Sequence, residues 1–222
     1  MTRGPLISAI MPSKRDAKAI LEAFENFAAQ TYNPKEIAVV RTHDKKLPKF
    51  ECVLPNIGAQ SVITMAGGAL GELRNIACRA AQGSLIAIWD DDDFSAPSRL
   101  ERSVEMLREY EIVGTSLAYF VDPKAKRRWL WDGKKSGVEY ATLLGGSLAF
   151  RREVWERGNF DPWKQVGEDV DFMQRHLAEP KIGQRNFFDF EDPDMYTATI
   201  SDDNTCVKHT EDRMYTEVEW KE

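Results

Sequence analysis

Four consecutive carboxylates, Asp90-Asp91-Asp92-Asp93, follow the apolar run Leu85-Ile86-Ala87-Ile88-Trp89. Adjacent carboxylates repel by about 1 kcal/mol per pair in water, and by more where solvent is excluded. A divalent cation removes that repulsion, and hard oxygen ligands suit Mg2+ or Mn2+. On an extended backbone Asp90 and Asp92 point the same way and Asp91 opposes them. The cluster also reads as a solvated acidic turn capping the helix that Pro97 begins. A second carboxylate pair, Glu168-Asp169, opens a helix expected over 168–177. There Asp169 shares a face with Phe172, Met173 and His176, which aims it at the core or a cleft rather than open water. A carboxylate at a helix start also stabilises the helix dipole, and Glu168 serves that purpose equally well.

The elements that must position these groups are legible in the first half. Residues 6–11 read as a buried strand stopped by Pro12, and 37–40 and 85–89 as two more. Residues 16–30 carry apolar positions at helical spacing, and Gly67, Gly68 and Gly71 open a helix through Ala80 that Gly83 stops. Continuous apolar strands between amphipathic helices predict an α/β fold with a mostly parallel sheet covered on both faces. In such sheets ligands bind beyond the carboxyl ends of the strands, where the aspartates lie. In the second half, 112–121 and 128–131 read as strand-like and 187–194 as a loop over the sheet.

The chain has 222 residues, 42% of them hydrophobic and 30% charged, which fits one globular domain over 1–222. A net charge of −6 argues against non-specific nucleic-acid binding by the whole surface. Cys52, Cys78 and Cys206 form no CxxC pair, so buried reduced thiols in a cytoplasmic protein are expected. No apolar run is long enough to span a bilayer, and the order of charge and apolarity near residue 6 is not that of a signal peptide. The P-loop, the GxGxxG dinucleotide fingerprint, HExxH and GxSxG are all absent.

Read in order, the motifs resemble glycosyltransferase family 2. They are Gly71-Glu72-Leu73-Arg74-Asn75-Ile76-Ala77, then Ala81-Gln82-Gly83-Ser84-Leu85-Ile86, then Trp89 to Asp93 with Pro97. The likeness continues through Gly145-Gly146-Ser147-Leu148-Ala149-Phe150-Arg151-Arg152, Gly158-Asn159-Phe160-Asp161 and Gly167-Glu168-Asp169-Val170-Asp171-Phe172. The resemblance implies a GT-A fold, with 1–97 as the nucleotide-sugar half and 98–222 as the acceptor half. It implies inverting, metal-dependent transfer from a nucleotide-sugar, with uridine diphosphate the expected carrier. Asp92 would hold Mn2+ or Mg2+, His209 would complete the metal shell, and Asp169 would be the catalytic base. Asp90 or Asp91 would meet the ribose, and Arg74 the nucleotide or diphosphate. Pro12, Ser13 and Arg15 after the first strand, Gly146 in the glycine loop and Glu168 would be further substrate contacts.

One departure stands out. Where the family carries Asp-Asp-Gly-Ser after the second strand, this chain reads Arg41-Thr42-His43-Asp44, so Asp44 either replaces that base contact or leaves it to other residues. The departure supports an alternative, a non-catalytic nucleotide-sugar-binding protein of the same fold. For the acceptor, Lys124, Lys126, Arg127, Arg128, Lys134 and Lys135 interleave with Trp129 and Trp131. That pattern suits a polyanion such as modified nucleic acid, or anionic lipid, and equally a hairpin whose tryptophans turn into the core.

Overall fold

The computed structural model describes residues 4–42, 59–65, 67–137, 142–177, 185–202, 204 and 208–220. Asp44, Cys52 and Cys206 lie outside the described residues. The first half supplies β1 (Ile7–Ser13), α1 (Ala17–Ala28), β2 (Lys35–Thr42), β3 (Ala59–Met65), α2 (Leu70–Ala80), β4 (Leu85–Ile88) and β5 (Phe94–Ser95). There follow α3 (Arg99–Met106), β6 (Tyr110–Gly114), β7 (Leu117–Asp122), β8 (Arg127–Asp132), β9 (Ala149–Arg151) and α4 (Arg152–Arg157). The chain then forms α5 (Glu168–Leu177), β10 (Arg185–Asp189), β11 (Tyr196–Thr199) and β12 (Tyr215–Val218).

Seven strands form the main sheet in the order β10-β6-β9-β4-β1-β2-β3. All pairs are parallel except those of β9, which runs antiparallel between β4 and β6. Strands from both halves of the sequence therefore share one sheet. Alternation along β1 sends Ile7, Ala9 and Met11 to one face, against Phe24 and Phe27 of α1 and Leu100 and Val104 of α3. Ile10 joins the other face, with Leu73 and Ala77 of α2 and Phe172 and Met173 of α5. Asp16 caps α1, its carboxylate accepting from the Ala19 N–H at 3.0 Å.

Several expectations needed correction. The helix after Gly71 ends at Ala80, not at Gly83. Gly83 is required instead because a Cβ there would lie 2.5 Å from Ser8 Oγ and 2.6 Å from the Leu6 carbonyl. Residues 112–121 are two strands in different sheets, divided at Thr115-Ser116. Of the expected loop over 187–194, residues 187–189 are strand: β10 pairs with β6 at the sheet edge, where half-buried Phe187 and Phe188 support both faces. The second sheet, β12-β8-β7-β11-β5, stands beside the carboxyl ends of β1 and β4.

Within that second sheet, Trp129 and Trp131 turn inward and are buried, so their faces are closed to a base or sugar ring. The basic residues around them are largely neutralised. Lys124 pairs with Asp202, Arg127 with both oxygens of Glu217, and Lys134 with Asp189 and Glu191. Arg128 lies over the Tyr119 ring at 3.4 Å. The tryptophans thus alternate into the core, as the hairpin reading of this segment expects.

Candidate active site

A cleft of about 570 Å³ opens where β1 and β4 end. Its walls include Pro12 and Ser13, which end β1 where a stop at Pro12 was expected, Arg15 just beyond it, the four aspartates after β4, Gly145 and Gly146, and Glu168 and Asp169 opening α5. Segments up to 196 residues apart, Pro12 to Lys208, thus converge on one cleft.

The four aspartates divide by their partners. Asp91 accepts a short hydrogen bond from the Ser13 hydroxyl, which ties the ends of β4 and β1 together. Asp93 accepts from the Tyr196 hydroxyl at 2.5 Å and the Thr199 N–H at 2.8 Å, which anchors the second sheet to the first. Asp90 and Asp92 keep oxygens toward the cleft. Arg15 Nη1 and Asn204 Nδ2 each approach Asp92 Oδ2 at 3.3 Å. Burial pushes Asp91 up to about 7, against the pull of Ser13. Burial, and then the charge of Asp90, also raise Asp92, while Arg15 opposes them.

That concentration of negative charge is what a hard divalent cation relieves. Among the described residues no three His, Cys, Asp or Glu side chains come together as a ready cage. Mg2+-type sites use one or two carboxylates and complete their shell with phosphate oxygens and water. Asp92, with Asp90 beside it, fits that donor set. His209 does not join it: its side chain is 64% exposed and sits 3.5 Å from Glu211, outside the cleft lining. The cleft is lined instead by its neighbour Lys208.

Arg74 also differs from expectation. Its guanidinium is buried, 2.5 Å from Glu168 and 3.5 Å from Asp90, with its ring-facing side over Phe160. A cation so engaged positions the two carboxylates rather than presenting its charge to phosphate. Burial pushes Glu168 up to about 7 while Arg74 pulls it down. Removing one partner from such a buried pair costs about 3–5 kcal/mol. Asp169 stands outside that hydrogen-bonded pair, and its Oδ1 accepts from the adjacent Val170 N–H at 2.9 Å.

The glycine pair joins the two sides of the cleft. A Cβ at Gly145 would overlap the Asp169 carboxylate, and one at Gly146 would meet the Tyr196 hydroxyl and lie 2.6 Å from Asp90 Oδ2. The candidate base and the aspartate cluster therefore flank one dipeptide. Arg99 fixes that dipeptide from below: fully buried between the Trp89 and Tyr196 rings, it donates to the Ile88 carbonyl at 2.8 Å and the Gly146 carbonyl at 2.9 Å. Neither Arg99 nor Tyr196 carries a local sequence signal. Gly145 did, as the first residue of the glycine motif.

The fold is shared with known transferases. TarS residues 1–349 of S. aureus in complex with UDP-GlcNAc superimposes with a TM-score of 0.65 at 16% identity, covering 90% of this chain and 60% of that one. The mannosyltransferase PcManGT of Pyrobaculum calidifontis, in complex with GDP-Man and Mn2+, gives 0.59 at 21% identity, covering 90% and 57%. The architecture is thus of the GT-A type. In sequence, the chain is 25% identical over 210 residues to an uncharacterized glycosyltransferase of Rickettsia typhi, covering 86% of this chain. It is 25% identical over 188 residues to the uncharacterized glycosyltransferase EpsJ of Bacillus subtilis, covering 76%. The chain spans 63% and 55% of the lengths of these two relatives. Residues 8–158, more than half of the chain, match the Glycosyl transferase family 2 model, and the chain belongs to that family.

Proposed function

We propose that this chain transfers a sugar from a nucleotide-diphosphate sugar to a hydroxyl acceptor with inversion at the anomeric carbon. One observation carries the reading: Gly145-Gly146 packs against Asp169 on one side and against Asp90 and Tyr196 on the other. A general base and a donor-binding carboxylate cluster are thereby held one dipeptide apart, as an in-line displacement requires.

Asp169 takes the proton of the attacking hydroxyl. Its carboxylate is left available because Arg74 and Glu168 pair with each other. Ser13 and Tyr196 hold Asp91 and Asp93 in place, so the loop presents Asp90 to the ribose and Asp92 to the diphosphate. Asp92 would hold a divalent cation, Mn2+ or Mg2+, which would supply Lewis-acid neutralisation of charge developing on the diphosphate. The UDP-GlcNAc and the GDP-Man with Mn2+ held by the two structural neighbours support a nucleotide-sugar donor and a divalent ion. We take UDP as the carrier, with Asp44 as the candidate base contact. No helix among the described residues is long and apolar enough to cross a membrane.

The experiment is proton NMR of fresh product from an α-linked nucleotide-sugar. Inversion gives the β anomer first. Initial appearance of the α anomer would contradict single displacement with Asp169 as base.

A further inference from the structure

Lys208 is a cation of the cleft that the reading above leaves without a task. It is half-buried and lines the cleft together with Asp92, Thr199 and Asn204. Its ammonium stands 5.6 Å from the centroid of the Phe120 ring, another lining residue. Asn204, four residues before it, donates to the Thr199 carbonyl at 3.0 Å and approaches Asp92 Oδ2 at 3.3 Å. Arg15 reaches that same oxygen from the end of β1. Two segments nearly 190 residues apart in sequence therefore meet on one carboxylate, each bringing a cation. The cations differ in what they already hold. Arg15 is engaged with Asp92, whereas Lys208 makes no ion pair within 4.0 Å among the described residues. A flexible ammonium with unspent donors, beside carboxylates in a concave site, suits an anion that enters with the ligand.

We propose that Lys208, assisted by Arg15, holds the diphosphate of the donor and stabilises it as the leaving group. This rests on the cleft being a nucleotide-sugar site. In the transfer, the bond from the anomeric carbon to the β-phosphate oxygen breaks and its electron pair stays on that oxygen. The acceptor oxygen forms the new bond to the anomeric carbon, and its proton passes to Asp169. Lys208 gives no proton up; it donates a charge-assisted hydrogen bond to the phosphate oxygen as charge grows there. A protein cation in this place predicts that part of the diphosphate affinity survives without any metal.

The test is calorimetric titration of wild type, Lys208→Met and Lys208→Arg with UDP and UMP, and with GDP and GMP, in EDTA and in Mn2+. Lys208→Met should weaken diphosphate binding at least about tenfold in EDTA, the scale of one charge-assisted hydrogen bond. Monophosphate binding and the melting temperature should change little, and Lys208→Arg should restore most of the loss. A merely structural role would weaken both nucleotides alike. Equal diphosphate affinity in wild type and Lys208→Met overturns the proposal while leaving the donor site standing. A wild type that binds neither UDP nor GDP in either condition overturns the donor-site reading itself, and this proposal with it.

Discussion

Gly145→Ala perturbs the candidate base without altering any carboxylate. An alanine Cβ built at position 145 overlaps Asp169 Oδ2 and lies 2.6 Å from its Cγ and 2.9 Å from its Cβ. Because the Asp169 Cβ is among the crowded atoms, rotation of the carboxylate alone does not relieve the contact, and the start of α5 must shift. Ordinary contact begins at 3.4 Å, so the Asp169 Cβ must retreat by about 0.5 Å and the carboxylate beyond it by more, on the scale of the ~1 Å displacement that costs on the order of 10²-fold in rate. Overpacking of this kind also lowers stability by about 1–3 kcal/mol. The donor cluster lies across Gly146, so donor affinity should stay near wild type while turnover falls. The assay is single-turnover release of nucleoside diphosphate, beside calorimetric donor affinity and melting temperature. A folded Gly145→Ala enzyme that turns over at the wild-type rate would refute the placement of Asp169 at the reaction centre.

Two further outcomes follow from the geometry. Asp92→Asn should abolish most of the Mn2+-dependent gain in nucleoside diphosphate affinity and leave the melting temperature within a few degrees, as calorimetry and thermal melting will read; unchanged metal dependence removes Asp92 from the metal site. His176 lies against Phe172 with Nε2 3.0 Å from the Gly158 carbonyl, and burial lowers its pKa, with Arg157 and Arg175 acting in the same direction. The unfolded chain then binds the extra proton, so the stability His176 contributes is present above about 6.5 and is lost as pH falls below it. The melting-temperature advantage of wild type over His176→Gln should therefore shrink from pH 7.5 to pH 5, and a constant difference contradicts that sign.

Much of this arrangement was legible in the chain because it is written locally. The apolar runs at 6–11, 37–40 and 85–89 need no partner to declare themselves strands buried on both faces. The aspartates inherit their place from the strand before them, but the chain turns at Asp91-Asp92, so the alternation of an extended backbone does not govern which way they point. What failed depends on distant partners. The break between β6 and β7 falls at Thr115-Ser116, and only the separate pairing of β6 with β9 and β7 with β8 shows that the two strands belong to different sheets. At the edge, β10 mixes phenylalanine with acid, a pattern that suits a half-buried strand as well as a loop. The diversion of Arg74 to Glu168 joins residues 94 apart. His209 and Lys208 are adjacent, and which of them faces the cleft is something no spacing rule supplies.

The central claim is that Asp169 is the proton acceptor of a glycosyl transfer, and single turnover of Asp169→Asn measures it most directly. Asparagine keeps the shape and the hydrogen bond to Val170 N–H but takes no proton near neutral pH. The account predicts donor affinity near wild type and a transfer rate lower by at least about 10²-fold. If Asp169 only stabilised the start of α5, the variant would lose a little stability and keep its turnover. An Asp169→Asn protein that transfers sugar at more than about a tenth of the wild-type rate contradicts the claim.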